Sequence, residues 1–235
     1  MISIQNIALF LGNEKPKLKV NNLELKSGLW ALVGRNGAGK STFLNALSGV
    51  NTNFEGEILI NDKPQKSIST QQMAKTIAVV FSKTELFGNH TGLDVLYLGR
   101  IPYQGVFSKI TKADKEKVTE IIELLSLKLL INKPFSVLSD GEKQLIMIGR
   151  ALVQDTELIL LDEPTAFLDV VNRKKIVKLL AKVSHEKLII FSTHNIDLIE
   201  EFCGGMLLIQ NDKLTSESNT NRFKTQLETL FEDEI

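Results

Sequence analysis

A glycine-rich loop between an apolar run and an amphipathic stretch constrains the fold of this chain most strongly. The sequence GRNGAGKS at residues 34–41 fits the phosphate-binding pattern G-x-x-x-x-G-K-[ST]. It follows the apolar run 31–33 and precedes a stretch that places Phe43, Leu44 and Leu47 on one helical face. A strand, this loop and a helix in that order distinguish the motif from a glycine turn with a chance lysine. The chain is therefore expected to bind a phosphate-bearing ligand.

The residue types in this loop suit a bound triphosphate. Glycines let the backbone curl so that successive N–H groups point inward, and the following helix adds its positive N-terminal end. Lys40 is expected to reach the β- and γ-phosphates, and the Ser41 hydroxyl is expected to complete a Mg²⁺ shell. The residues predicted to line the site are Gly34, Asn36, Gly37, Ala38, Gly39, Lys40, Ser41 and Thr42.

Two acidic residues follow a second apolar run. The sequence LILL at 158–161 leads into Asp162, Glu163 and Pro164. Open α/β sheets bind ligands at the carboxyl ends of their strands, so Asp162 is expected to meet Mg²⁺ through water. Glu163 points elsewhere and is expected to polarise a water for attack on the γ-phosphate. In isolation the pair also fits a surface turn broken by Pro164, but the phosphate loop favours a site.

Two more polar residues stand at the ends of predicted elements. His194 follows the apolar run 188–191, a position from which its ring can reach the γ-phosphate or the attacking water. Ser139 and Glu142 have the spacing of a helix capping box. The same helix start, with a hydroxyl and Gly141, also fits a second anion site. If two phosphate-binding faces cannot meet within one chain, they can meet across a head-to-tail dimer.

Apolar runs alternate with amphipathic stretches, which predicts an α/β fold. Looser alternation in residues 2–10, 18–25 and 57–61 predicts an antiparallel sheet at the N-terminus, and residues 88–154 look mostly helical. The near-continuous apolar runs that predict a parallel sheet covered on both faces are 31–33, 77–81, 158–161 and 188–191.

The C-terminal part combines a polar stretch with an amphipathic one. Residues 211–220 are polar and expected to be exposed. Phe223, Leu227, Leu230 and Phe231 then recur at helical spacing, which fits a helix packed on its own domain or a helix that binds a partner.

Composition argues against several classes of protein. The 28 Lys and Arg residues balance 28 Asp and Glu residues, whereas proteins that wrap nucleic acid usually carry a basic excess. Cys203 is the single cysteine, so neither an intramolecular disulfide nor a cysteine cluster for zinc is expected. No uncharged apolar stretch approaches the roughly 18 residues of a membrane span, and residues 1–10 lack the features of a signal peptide. A soluble protein in a reducing compartment is expected.

Together and in this order, the segments resemble the ATP-binding subunits of ABC transporters over about residues 1–215. The LSGGQ-type motif has Asp140 in place of its usual second-position glycine. The corresponding segments are 34–42 (Walker A), 138–144 (LSGGQ-type), 158–164 (Walker B), 165–169 (D-loop) and His194 (switch histidine).

The resemblance implies a P-loop NTPase (RecA-like) core with a parallel sheet, an N-terminal antiparallel β-subdomain and a helical subdomain at about 88–154, all within one domain, 1–235. It implies ATP and Mg²⁺ as cofactors, with catalytic roles for Glu163 and His194. It also implies that two copies sandwich two ATP molecules, so that Walker A of one faces Ser139 and Gly141 of the other.

One stretch narrows the choice within the family. LGRIPY at 98–103, followed by Lys112 and Asp114, resembles the ATPases of importers for iron–siderophore complexes, haem and vitamin B12, although Gly-Arg-x-Pro can also simply end a helix. The implied protein is an importer's motor subunit. It acts as a homodimer on integral membrane permease subunits, at the cytoplasmic face, and works indirectly with a substrate-binding protein. The alternatives are a soluble ATPase switch acting on ribosomes or DNA, a non-catalytic regulator and an exporter ATPase.

Two departures from the family pattern affect the site. The family has glutamine after the strand that corresponds to 77–81, where it touches Mg²⁺; this chain has the shorter Ser82, which is expected to need a water. The family also stacks an aromatic ring on adenine from an early loop. Phe10 is the candidate here, with core packing as the alternative, and the loop 11–17 has an irregular length. Trp30, at a strand start, is expected to pack.

Overall fold

The computed structural model describes residues 1–10, 15–82, 88–105 and 109–232, with the side chains of 228–232 left out. The described strands are β1 (Ile2–Leu9), β2 (Leu18–Val20), β3 (Leu23–Leu25), β4 (Gly28–Gly34), β5 (Phe54–Ile60), β6 (Lys63–Pro64), β7 (Ile77–Val80), β8 (Leu158–Leu161), β9 (Leu188–Ser192), β10 (Gly205–Gln210) and β11 (Lys213–Glu217). The helices are α1 (Lys40–Leu47), α2 (Thr70–Thr76), α3 (Gly92–Leu98), α4 (Lys112–Leu124), α5 (Asp140–Val153), α6 (Val170–Val183), α7 (Ile196–Phe202) and α8 (Phe223–Glu232).

These strands form one continuous sheet in the order β6-β5-β1-β2-β11-β10-β4-β9-β8-β7, with β3 paired to β1. The five strands β10, β4, β9, β8 and β7 are parallel to one another. The carboxyl ends of β4, β8 and β9 therefore open at one edge of the sheet, where an α/β sheet binds its ligand. The expected α/β fold is confirmed.

Apolar side chains cover both faces of the parallel strands. In β4, Ala31 and Val33 contribute to one core, and Leu32 between them contributes to the other. The helices α3 to α7 pack on the first face, whereas α1 packs on the second through Phe43 and Leu44. Each fully buried side chain of this size contributes about 1.5–3 kcal/mol relative to exposure. Burial on both faces explains why these strands read as uninterrupted apolar runs.

The N-terminal strands are antiparallel, as expected: β1 pairs with β2, β3 and β5. They do not form a separate sheet, however, because β2 runs parallel to β11 and joins them to the core strands. Local alternation cannot reveal this join, since the pairing partners are about 190 residues apart in sequence (213 − 19 = 194).

Helical turns dominate the described residues between β7 and β8. Thr91, Thr111 and Ser139 each begin a helix with a capping box. Short 3₁₀ turns connect α3, α4 and α5, at Ile101–Tyr103, Leu127–Leu129 and Phe135–Val137. This segment packs on the same core as β4 and β8, so its helices are held directly against the nucleotide-site strands.

The polar stretch 211–220 is more ordered than its composition suggests. Its residues 213–217 form β11, which pairs with β10 from Met206↔Glu217 to Gln210↔Lys213. Most of its side chains are exposed, as expected, but Leu214 is buried and the backbone belongs to the sheet. Phe223 and Leu227 of α8 are fully buried in the core, which supports packing on the chain's own domain. The side chains of Leu230 and Phe231 lie outside the described residues.

Among the described residues, no helix combines the length and apolar character that crossing a bilayer requires.

Candidate functional site

The glycine-rich loop connects β4 to α1 at the carboxyl edge of the sheet. Gly37 and Gly39 have φ angles of 76° and 109°, which favour glycine over residues with a Cβ. Helix α1 begins at Lys40 with Gly39 as its N-cap. In the described part of the chain, the backbone N–H groups of Gly39, Lys40 and Ser41 have no protein acceptor. The loop thus presents free donors, and a helix N-terminus, to a ligand.

Lys40 lies across this loop rather than in solvent. Its Nζ donates to the backbone oxygens of Gly34 at 2.8 Å and Arg35 at 3.3 Å, and it lies 3.1 Å from Nε2 of His194. Only 7% of the residue is exposed. Burial lowers the pKa of Lys40, and the nearby carboxylates of Glu163 and Asp162 oppose that shift. Its ammonium group is therefore held against the glycine-rich loop by two carbonyl oxygens.

Asp162 follows β8 and is fixed from two sides. Its Oδ2 accepts a hydrogen bond from Ser41 Oγ at 2.7 Å, and its Oδ1 accepts one from Ser192 Oγ at 2.7 Å. Its backbone N–H donates to Val80 O of the neighbouring strand. Residues from α1, β8 and β9 thus converge on one buried carboxylate. Asp162 therefore lies beside Ser41. That the two residues share a metal stays a prediction.

Glu163 turns away from Asp162 and faces a cavity. Its φ angle of 49° is uncommon for a residue with a side chain. Its carboxylate oxygen Oε1 lies 3.4 Å from Nε2 of His194, and both side chains are 38% exposed. The two residues line a cavity of about 430 Å³ together with Thr165, Arg173 and the turn after β9. A carboxylate and an imidazole thus face the same open space.

The first half of the glycine-rich loop borders a second cavity of about 400 Å³. Asn36, Gly37 and Ala38 line it, and Lys17 and the turn between β10 and β11 complete its wall. Thr42 is the third residue of α1 and is partly buried. The predicted loop residues therefore lie together between the end of β4 and the first turn of α1.

Two predicted contacts, of Phe10 with adenine and of Ser82 with Mg²⁺ through a water, stay predictions. Phe10 is partly buried just after β1 and does not line the cavity beside the loop; residues 11–14, in the loop that the sequence analysis singled out, lie outside the described residues. Ser82 is partly buried after β7 and has no hydrogen bond to Ser41 or Asp162 in the described part. Trp30 is partly buried and packs against the core, and an added Cβ on Gly205 would lie 2.3 Å from its ring.

Ser139 and Gly141 stand at the start of α5. Ser139 Oγ accepts from the Glu142 N–H at 3.3 Å, and Glu142 Oε2 accepts from the Ser139 N–H at 2.8 Å, so the capping box is present. Ser139 is exposed and, within the described residues, makes no hydrogen bond to the phosphate loop. Gly141 lies against the backbone of Phe167, since an added Cβ would stand 2.8 Å from its carbonyl oxygen.

The stretch from Gly99 to Tyr103 has a structural explanation. Nε of Arg100 lies 2.7 Å from Oδ1 of Asp114, and its guanidinium also donates to Val153 O and stacks on Tyr103. Arg100 therefore ties α3 to α4 and α5. Within the described residues, its contacts include neither the glycine-rich loop nor the acidic pair.

Comparison with known proteins agrees with this geometry. Residues 18–166, more than half of the chain, match the profile of the family described as ABC transporter. An ABC transporter ATP-binding protein of Methanocaldococcus jannaschii is 36% identical over 217 residues, covering 91% of this chain and 74% of the relative. The chain belongs to the ABC transporter family.

Other members of the ABC transporter family differ in the cargo that their names give. The iron(3+)-hydroxamate import ATP-binding protein of Bacillus subtilis is 29% identical, in an alignment that covers 83% of this chain and 74% of the relative. The methionine import ATP-binding protein of Clostridioides difficile is 32% identical, in an alignment that covers 94% of this chain and 69% of the relative. The expected resemblance to ATPases of iron-chelate importers is confirmed, but relatives with other cargoes are equally similar.

Solved ABC transporter structures share the whole architecture. A metal-chelate type ABC transporter in an inward-facing conformation superimposes with a TM-score of 0.83 at 27% identity, covering 98% of this chain and 88% of the other. A dimeric ATP-binding cassette in a post-hydrolysis state, bound to ADP and Pi, gives 0.80 at 26% identity, with coverage of 93% and 98%. The protein is an ABC-type ATPase, which binds and hydrolyses ATP.

Ser192 belongs to this ABC ATPase site but was not predicted from the sequence. Ser192 is the last residue of β9 and is fully buried, yet its hydroxyl contacts both acidic residues. A serine at the end of an otherwise apolar strand, two positions before His194, was the available signal. Its partners are 29 and 30 positions away, so the sequence alone did not identify them.

Proposed function

We propose that this chain is the ATP-hydrolysing motor subunit of an importer, acting as a head-to-tail homodimer on membrane permease subunits. The observation that carries the proposal is the division of the site. Lys40, Asp162, Glu163 and His194 converge at one sheet edge, whereas exposed Ser139 makes no described contact with them. A complete nucleotide site then needs a second copy.

The residues at the sheet edge fit ATP with Mg²⁺. Ser41 and Asp162 supply hard oxygen atoms, the ligands that Mg²⁺ prefers, and the free N–H groups of the loop suit phosphate oxygens. When bound, the metal neutralises charge on the phosphates. Lys40 adds the cation, already oriented by two carbonyl oxygens. Ser82 reaches the metal through a water, and Phe10 contacts the adenine ring, in the same proposal.

Glu163 and His194 are proposed as the catalytic residues. Glu163 is half-exposed to the cavity, where its carboxylate can orient a water and accept its proton. His194 lies between Glu163 and Lys40, at 3.4 and 3.1 Å, so its ring contacts both the base and the phosphate-binding cation. His194 thus keeps the Glu163 carboxylate and the Lys40 ammonium group at fixed positions relative to each other.

The homodimer is supported by apolar residues beside the second anion site. Phe167, Val170 and Val171 are 49%, 69% and 63% exposed. Gly141 packs on the Phe167 backbone, and Val170 and Val171 follow Phe167 by three and four positions in the chain. Exposed apolar side chains next to a binding site mark surfaces that another chain covers. Ser139 and Gly141 of one copy would then complete the site of the other.

Relatives support transport rather than a soluble switch. The names of two relatives describe import, and one solved neighbour is a metal-chelate type transporter. We therefore propose permease subunits as direct partners, a substrate-binding protein as an indirect one, and a peripheral position on the inner face of the cell membrane. Iron–siderophore complexes, haem or vitamin B12 are the proposed cargo. The alternative is a soluble ABC-type ATPase that acts on a non-transport partner.

Co-purification tests this function. The tagged Glu163→Gln variant, which should bind ATP without turnover, is extracted from membranes in mild detergent with ATP and Mg²⁺. We expect a polytopic membrane protein in the eluate and a metal chelate or corrin bound to the complex. Recovery with ribosomes or DNA, and without membrane proteins, would instead support the soluble switch.

A further inference from the structure

Ser192 uses its single hydroxyl group to contact both acidic residues of the site. Its Oγ donates to Asp162 Oδ1 at 2.7 Å and accepts from the Glu163 backbone N–H at 2.8 Å. The residue is fully buried, so water does not compete for either bond. The hydroxyl is therefore a fixed link between the end of β9 and the end of β8.

For Asp162, this link determines the orientation of the carboxylate. Ser41 holds one oxygen from α1, and Ser192 holds the other from β9. Groups that hydrogen-bond a metal ligand from behind set its orientation, and their loss typically costs about 10–100-fold in metal affinity or activity. Without Ser192, Asp162 Oδ1 would keep no described side-chain partner.

For Glu163, the same link supports an unfavourable backbone. A φ of 49° persists in a residue with a side chain only where the surroundings hold it. The Glu163 N–H bonds to Ser192, and its carbonyl oxygen accepts from the Ala166 N–H at 3.2 Å. Ser192 thus helps to define where the Glu163 side chain starts, and hence its 3.4 Å approach to His194.

We propose that Ser192 is a positioning residue for ATP hydrolysis, which couples the direction of the Asp162 carboxylate to the backbone of Glu163. This inference rests on the proposed roles of Asp162 toward Mg²⁺ and of Glu163 toward water. Ser192 acts through these two residues and does not itself contact the nucleotide.

The test compares two substitutions of the same shape, Ser192→Thr and Ser192→Val. Both add a methyl group to a buried position, but only threonine keeps the hydroxyl. We expect Ser192→Thr to retain kcat and Mn²⁺ affinity within about threefold, and Ser192→Val to lose about 10–100-fold in both. Mn²⁺ affinity is measured by electron paramagnetic resonance titration with a non-hydrolysable ATP analogue, which is independent of turnover.

Ser184→Ala is the matched control. Ser184 is also buried, and its hydroxyl donates to Ala181 O on its own helix, away from the site. If the loss of any buried serine hydroxyl lowered activity, Ser184→Ala would show the same defect. We expect instead that Ser184→Ala keeps the kcat and Mn²⁺ affinity of the wild type.

The outcomes separate this inference from the proposed function. Equal kcat and Mn²⁺ affinity for the Thr and Val variants, with metal binding that is sensitive to Asp162→Ala, would overturn the role of Ser192 alone. Metal binding that ignores Asp162→Ala would overturn the role of Asp162 itself and, with it, the inference. A defect in Ser192→Val that Ser192→Thr does not share supports the proposal.

Discussion

Nζ of Lys40 lies 3.1 Å from Nε2 of His194, although 154 positions separate the two residues in sequence. The contact joins the phosphate loop after β4 to the turn after β9, and Glu163 lies beside it at 3.4 Å from the same nitrogen. Lys40, Glu163 and His194 follow three different strands and therefore form one cluster at the same edge of the sheet. Substitutions of Lys40 and His194 should therefore separate nucleotide binding from hydrolysis.

Lys40→Ala should weaken ATP binding about 10–100-fold. The variant removes a buried cation whose hydrogen bonds to phosphate oxygens are charge-assisted, and such bonds contribute about 1.5–3 kcal/mol each. Isothermal titration with ATP measures the effect. Lys178→Ala, on the exposed side of α6, is the control and should bind as the wild type does. Unchanged affinity in Lys40→Ala would refute the assigned role.

His194→Ala should lower kcat about 100-fold while ATP affinity changes less than about threefold. The imidazole faces the cavity beside Glu163, and groups that assist proton transfer typically contribute 10²–10⁴-fold. A phosphate-release assay measures kcat. His185→Ala removes an exposed histidine at the opposite end of β9 and serves as the control. If His194→Ala and His185→Ala hydrolyse ATP equally fast, His194 has no catalytic part.

Gly141→Ala should impair ATP-dependent dimerisation more than ATP binding. The new Cβ would stand 2.8 Å from the carbonyl oxygen of Phe167, so the backbone beside the exposed apolar residues must shift. Gly204→Ala, whose Cβ would meet nothing within 4 Å, is the control. Both substitutions are made in the Glu163→Gln background, and light scattering in the presence of ATP measures the fraction of dimer. Equal dimer fractions for both variants would show that this contact does not shape the interface.

The sequence was sufficient to predict the strand–loop–helix unit and the positions of Asp162, Glu163 and His194 after strands of the parallel sheet. Each depends on a local pattern: a loop before α1, or a polar residue at the end of an apolar run. The same locality explains what was missed. The local signal of Ser192, a serine that ends an apolar run, does not reveal its partners 29 and 30 positions away. The join between β2 and β11 likewise depends on residues distant in the chain.

The motif at 98–103 shows the opposite limitation. Its sequence resembles that of one transporter subfamily, but in the structure Arg100 forms an ion pair with Asp114 of α4. In this chain, the ion pair of Arg100 with Asp114 accounts for the arginine of this motif without reference to any cargo. Residues 213–217 show a related limitation. Their polar composition correctly predicted exposed side chains, but they form a strand because their backbone pairs with β10, which composition does not reveal.

The pair of Arg100 and Asp114 makes stability depend on pH. Burial raises the pKa of Asp114, but hydrogen bonds from Arg100 and Thr111 outweigh this and lower it overall. A lowered pKa in the folded state means that the stabilisation is present above the unfolded value near 3.9 and is lost as pH falls through the folded value. Asp114→Asn should cost about 3 kcal/mol at neutral pH, as expected when one partner of a mostly buried pair is removed.

Urea denaturation at a series of pH values checks this prediction. The difference between wild type and Asp114→Asn should be constant at neutral pH and shrink below about pH 4. Glu116→Gln breaks the exposed pair with Lys112 and should change stability by less than about 0.5 kcal/mol. A difference that does not vary with pH would exclude the charged pair as its source.

The most direct measurement of the shared nucleotide site is cross-linking between two single-cysteine variants. Asn36→Cys and Ser139→Cys, each in the Glu163→Gln background, are mixed and treated with a short bis-maleimide. The native Cys203 is buried and its pKa is raised to about 12 by burial, so it should remain unreactive. We predict a covalent heterodimer that forms with ATP and Mg²⁺ and not without them. Variants that bind ATP normally but never cross-link would contradict an ATP site divided between two copies.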